Sequence, residues 1–272
     1  MMEEMPILAF QIFLVFFFAF FAAVLASFLN VVIYRTAKEE SFVKGRSYCE
    51  SCKQEITWYD NVPILSFLVL RGKCRHCHKK IKAVYFWTEV LAAFYAVFFV
   101  LVSQKADLFS TLEIWQLVFY FLFFLILIFI VIADFRFMIV PDFLTILLTV
   151  LVLVYLFLSG ADWFAALGAV AFSVFLFLGI FALAKKIYKK DGLGFGDIKL
   201  MVPLSLFLSW PKTVMAVFLA FISGGFFAML VLVSGKKKMG QALAFAPFLV
   251  LGFVLAFFFG EAIWNWYFAL LI

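Results

Sequence analysis

The chain has 272 residues, 68% of them hydrophobic and only 14% charged, with 42 phenylalanines and a net charge of +6. Soluble domains are nearer half apolar, so a water-soluble globule of this size is excluded for want of polar surface to clothe it. The composition predicts an all-α polytopic membrane protein.

The N-terminus, Met1-Met2-Glu3-Glu4, is acidic where a cleavable signal needs positive charge, and the apolar run after it is too long for one. No cleaved signal is expected. That run, 6–34, reads as the first transmembrane helix. A polar insert follows over 35–83. Residues 84–272 then read as the remaining membrane helices, with apolar runs near 84–103, 112–133, 140–159, 163–184, 198–210, 212–233 and 243–271. This makes about eight transmembrane helices. The run at 198–210 is short for a crossing, unless the bilayer thins or the glycine turn before it also lies at membrane depth.

The insert holds all four cysteines, as Cys49-Glu50-Ser51-Cys52 and Cys74-Arg75-His76-Cys77. Each C-x2-C pair can form a knuckle in which two thiolates bind one metal, and two knuckles complete a tetrahedral Zn2+ site. Four thiolates fill the coordination sphere, so the site reads as structural. His76 and His78 read as solvent-facing or outer residues. An insert this small lacks room for a large core, and a metal would replace one. The alternatives are redox-active dithiols or four unconnected thiols. Between the knuckles, the apolar stretch Trp58 to Phe67 is expected to pack on the membrane surface or against the spans.

Charge sets the expected orientation. With the insert on the cytoplasmic side, alternation places every Lys and Arg inside except Lys105 and Lys212. This is a strong positive-inside pattern and puts both termini outside. Topology thus accounts for the basic balance. Nucleic-acid binding is not required, and anionic lipid head groups are natural neighbours.

Three acids stand at the cytoplasmic ends of spans: Asp134, Asp142 and Asp197. Asp142 follows Pro141 at a helix start, where a carboxylate caps free N–H groups. Asp197 could cap in the same way, but the glycines before it, in Gly192-Leu193-Gly194-Phe195-Gly196-Asp197, need another reason. They allow positive φ and close approach to another segment. Asp134 ends a helix, where the dipole disfavours a negative charge. A shared reason is a pair. Two carboxylates in a half-dry site share a proton, so one can act as base on a water while the other polarises a peptide carbonyl.

In order along nearly the whole chain, these segments resemble the type IV prepilin peptidases, bacterial aspartic proteases of the glycine-x-glycine-aspartate class. Ser27-Phe28-Leu29-Asn30-Val31-Val32-Ile33-Tyr34-Arg35 is similar to the family's first-span signature. The paired cysteines, with Trp58-Tyr59-Asp60-Asn61-Val62-Pro63 and Leu70-Arg71-Gly72-Lys73-Cys74, are similar to its cytoplasmic zinc-binding insert. Asp134 with Val140-Pro141-Asp142, and Gly194-Phe195-Gly196-Asp197-Ile198-Lys199-Leu200, resemble its two catalytic segments.

The resemblance implies a bacterial inner-membrane enzyme that removes the short basic leader of type IV prepilins and pseudopilins, at the cytoplasmic face, after a glycine. It also implies N-methylation of the new first residue with S-adenosylmethionine. Asp134 and Asp197 are then the catalytic pair, and Gly194, Gly196, Asp142 and Lys199 support the turn and the substrate. The chain departs from the family's pattern at Ala26, at Thr36-Ala37, at Glu50, at Val84 and Phe86, and at Ala244-Phe245-Ala246-Pro247-Phe248. None of these positions is one of the two aspartates. Several lie in or beside the insert, the part the family associates with methylation, and the chain has no glycine-rich cofactor loop following a strand.

Two other readings fit parts of the pattern. A proton-coupled transporter with a zinc-stapled cytosolic gate would use the acids as a relay. A membrane anchor whose zinc module recruits partners would need no chemistry.

Overall fold

The computed structural model describes residues 4–43, 45–106, 108–188, 194–235 and 243–269. Gly192, Leu193 and the lysines at 189, 190 and 236–238 lie outside the described residues. In chain order the helices are α1 (Glu4–Ala37), α2 (Leu65–Val69), α3 (Ala83–Lys105), α4 (Leu108–Thr111), α5 (Ile114–Phe137), α6 (Asp142–Ser159), α7 (Trp163–Tyr188), α8 (Phe195–Leu208), α9 (Lys212–Val233) and α10 (Ala246–Ala269). A single 3-10 turn, Trp58–Asn61, precedes α2. The fold is all-α, and seven of these helices are long and apolar enough to cross a membrane. The eighth expected span is α8, whose 14 residues make a rod of about 21 Å at 1.5 Å per residue.

By compactness the chain divides into two units, Met1–Leu125 and Ile126–Ile272. In the first, α1 lies along α3. Small residues make that possible: Ala22 and Ala26 on one helix, Ala92 and Ala96 on the other, are all fully buried. Four-residue spacing puts each pair on one face, the small-xxx-small pattern that lets apolar helices approach closely. One polar clamp crosses the seam. The Asn30 amide donates to Thr88 Oγ1 at 2.7 Å, and the Thr88 hydroxyl reaches the Tyr85 carbonyl at 2.8 Å.

The insert is tied to both helices. At the end of α1 the buried Arg35 guanidinium donates to the carbonyls of Ser41 at 3.0 Å and Arg46 at 2.9 Å. At the start of α3, Glu50 accepts from Lys82 at 2.6 Å and from Tyr85 Oη at 2.7 Å. Phe67 stacks on Phe86 of α3, with ring centroids 4.8 Å apart. This end of the apolar stretch therefore packs on a span, while Trp58 at the other end stays exposed.

In the second unit the short α8 packs against α6, α7, α9 and α10. Ser205 on α8 donates to Ser173 on α7 at 2.8 Å, both fully buried. The closest pairing is α9 with α10. A Cβ on Gly252 would stand 2.8 Å from the Ala220 backbone nitrogen, so only glycine permits the two backbones to approach this far.

Candidate active site and metal centre

Asp134 lies in the last turn of α5 and Asp197 in the first turn of α8. They are 5% and 6% exposed, and each lies within electrostatic reach of the other. Two acids 63 residues apart in sequence are thus brought to one buried place. Nothing in the local sequence pattern requires this; it follows from α8 packing inside the unit.

The glycines around Asp197 act by close approach. Gly194 occupies the N-cap position of α8 with φ −71° and ψ 135°, extended backbone open to any residue. The positive φ expected of this turn is not found at Gly194. What matters is space. A Cβ on Gly194 would stand 3.1 Å from Asp197 Oδ2, and one on Gly196 would stand 2.9 Å from the Val140 Cβ. Glycine at 196 lets the first turn of α8 press against the α5–α6 connection that carries Val140.

Asp142 does not cap α6. Pro141 occupies the N-cap position, and the helix begins at Asp142 itself. The carboxylate pairs with Lys199 Nζ at 2.7 Å. Both side chains are exposed, so the pair is a surface link between the first turn of α6 and the second turn of α8. The acid still sits where the helix dipole favours it.

The four cysteines converge. Their sulfurs lie within 4.8 Å of one another, and Cys49 Sγ is 3.9 Å from Cys77 Sγ. Tetrahedral Zn–S bonds of about 2.3 Å need sulfurs about 3.8 Å apart, so the cluster fits a four-thiolate zinc. The two antiparallel bridges Tyr48↔Glu55 and Lys73↔Lys80 close the two knuckles. His76 and His78 are exposed and outside the cluster. Burial pushes the Cys49 thiol up, but the N–H groups of Cys52 and Ser51 and the neighbouring thiols outweigh it and bring it down to about 7. At Cys52 the Gln54 N–H lowers the thiol, yet burial and the other three sulfurs push it up to about 11. One thiolate forms readily and the next does not, which is the electrostatic situation a dication relieves.

Two contacts escape sequence reasoning. Asp134 Oδ2 accepts the backbone N–H of Ala246 at 3.0 Å. The 244–248 segment, which the sequence sets apart from both aspartates, therefore touches one of them. Glu89, 8% exposed, accepts the Ile64 N–H at 2.8 Å and holds that β-branched residue at φ 63°, a rare and strained conformation. Asn30, Arg35, Tyr85 and Glu89 line a cavity of about 290 Å³ in the first unit.

The fold and these sites define a multi-pass helical membrane protein with two buried acids within electrostatic reach of each other and an insert whose four cysteines could hold a metal. Family models agree with that class. The Bacterial Peptidase A24 N-terminal domain matches residues 20–103, and the Type IV leader peptidase family matches residues 121–229. The chain is 32% identical to the prepilin leader peptidase/N-methyltransferase of Vibrio cholerae, over 67% of this chain and 73% of the relative. Proteins of the same name from Bacillus subtilis and Aeromonas hydrophila are 29% and 28% identical, over 91% of this chain and 95% and 91% of theirs. No solved structure matches the chain. The chain belongs to the type IV leader peptidase family, and it is a protease.

Proposed function

We propose that this protein is an aspartic endopeptidase of the bacterial inner membrane that removes the basic leader of a type IV prepilin or pseudopilin. Cleavage follows a glycine, at the cytoplasmic face, and Asp134 and Asp197 do the chemistry. The observation that carries this reading is the burial of those two carboxylates within reach of each other, in a chain of this family. The side of the membrane rests on the charge asymmetry of the loops.

Such a pair shares one proton. The ionised carboxylate takes a proton from a water as its oxygen bonds to the peptide carbonyl carbon. The protonated carboxyl gives its proton to the carbonyl oxygen. The tetrahedral intermediate then collapses: the C–N bond breaks, the amine leaves with a proton from the first carboxyl, and a hydroxyl proton returns to the second. No net proton is gained or lost by the pair.

The relatives are named N-methyltransferases as well as leader peptidases, and on that likeness we infer a second activity, N-methylation of the new N-terminus, with S-adenosylmethionine as the donor that the family resemblance implies. The first-unit cavity has the size of a small-ligand pocket. The buried Glu89 on its wall is the group that would face a sulfonium. Zinc held by Cys49, Cys52, Cys74 and Cys77 would brace the insert that forms part of this wall.

Purified protein mixed with a prepilin that keeps its leader tests the reading. Cleavage is expected, and Asp134→Asn and Asp197→Asn should each abolish it while the protein remains folded. Normal cleavage by either variant would refute the assignment of the pair.

A further inference from the structure

We propose that the first turn of α10 is the positioning element of the hydrolytic site: the backbone N–H of Ala246 fixes one oxygen of Asp134 and leaves the other for the attacking water. The proposal rests on the reading of Asp134 and Asp197 as the reacting pair.

Asp134 stands in the last turn of α5, where that helix's own dipole disfavours a negative charge. The structure supplies the compensation from another helix. Residues opening a helix have N–H groups without intrahelical partners. Ala246 is the first residue of α10 and fully buried, and its N–H meets Asp134 Oδ2 at 3.0 Å. The Phe245 N–H also interacts with the same carboxyl. Backbone donors aimed at a carboxyl group fix its plane. Asp197, by contrast, interacts with Gly194 at the start of its own helix.

The turn that presents these donors is itself clamped. The Phe245 ring presses on α9 where Gly224 has no side chain. A Cβ there would stand 2.9 Å from Phe245 Cε2 and 3.4 Å from Phe248 Cγ. Phe221 packs beside it, with ring centroids 5.4 Å apart. Gly252 then holds α10 against α9 one turn and a half further on. The path from α9 to the carboxylate is therefore Gly224, Phe245, the 246 N–H and Asp134, all within the second unit.

Ala246→Pro is the direct test. Proline is tolerated at the first helical position, so α10 can still start there, while the ring carbon takes the place of the N–H hydrogen, removes the bond and crowds the Asp134 oxygen it met. Loss of a hydrogen bond to a charged group predicts that kcat for a prepilin substrate falls about 10- to 100-fold, with KM within about twofold. Ala246→Gly, which keeps the N–H, should retain most of kcat. A folded Ala246→Pro protein with the same kcat as Ala246→Gly, or one that loses only KM, overturns the proposal. If Ala246→Pro does not accumulate, Gly224→Ala is read in the same way. It should lower kcat several-fold at unchanged KM, and wild-type kcat in that variant overturns the proposal. Asp134→Asn is run beside them. If it cleaves normally, the assignment of the pair fails. If it is inactive while the proline variant is not slowed, only the role of α10 fails.

Discussion

Gly196 and Val140 meet so closely that a single added carbon would collide: a Cβ on Gly196 would stand 2.9 Å from the Val140 Cβ and 3.1 Å from its Cγ2. The contact is with the root of a stiff, β-branched side chain, which has little freedom to yield. It lies one residue before Asp197 and so sets where that carboxylate stands.

Gly196→Ala should therefore cost about 1–3 kcal/mol of stability through overpacking. It should also cost activity by displacing a reacting group, a change to which rates are steeply sensitive. The double variant Gly196→Ala with Val140→Gly should recover cleavage. Thermal melting in detergent and a cleavage assay on the same preparations read both effects. Full activity in Gly196→Ala alone would show that the contact is slack.

Removal of the metal is predicted to loosen the insert. Metal analysis should find about one zinc per chain, as a single four-thiolate site holds, and Cys49→Ser with Cys52→Ser should abolish it. Proteolysis should then cut within 38–82 faster than in the wild type. A zinc-free protein whose insert resists protease as well as before would remove the structural role.

Asp60 provides a pH test in the same insert. The Arg75 guanidinium grips its carboxylate with two bonds, of 2.7 and 2.6 Å, and holds it below the usual carboxylate range. A carboxyl lowered by folding stabilises the folded form above its unfolded value of about 4 and loses that contribution as pH falls through the lower folded value. Arg75 is about half exposed, so solvent screening keeps the contribution small. The melting difference between wild type and Asp60→Asn should be present at pH 7 and vanish under strongly acid conditions. A difference unchanged down to pH 2 would rule out the ion pair as its source.

Gly252→Ala is expected to part α9 from α10, because its new Cβ would meet backbone atoms that cannot rotate away. A loss of about 1–3 kcal/mol is expected, read as a lower melting temperature. An unchanged melting temperature would mean that the two helices separate at no cost.

Local chemistry made much of this legible from the sequence alone. A span is a run of apolar residues, so the long helices could be read directly. A zinc knuckle is two cysteines at fixed spacing, and the four sulfurs do converge. Asp134 stood out because a helix end is the wrong place for its charge. Contacts between distant segments could not be read this way. Asp142 looked like a cap because proline precedes it, but Lys199, 57 residues on, takes its carboxylate. The glycines suggest both positive φ and close approach, and at Gly194 and Gly196 it is the close approach that is found. The 246 N–H is a backbone group, and no side-chain pattern marks where it points.

The spans differ widely in how much of their surface the protein itself covers. More than half of the most apolar stretch of α5 is buried, at 56%, against 22% for α7 and α9. On the thinly covered helices most side chains answer to lipid, which asks only that they be apolar. Phe164, Phe175 and Val233, each more than 80% exposed, could become leucine or isoleucine at almost no cost. A saturation library should thus be nearly flat along the outer faces of α7 and α9 for apolar replacements and steep along α5. Evolution has had a wide neutral margin there, and a phenylalanine-rich composition is one of the many solutions it leaves open.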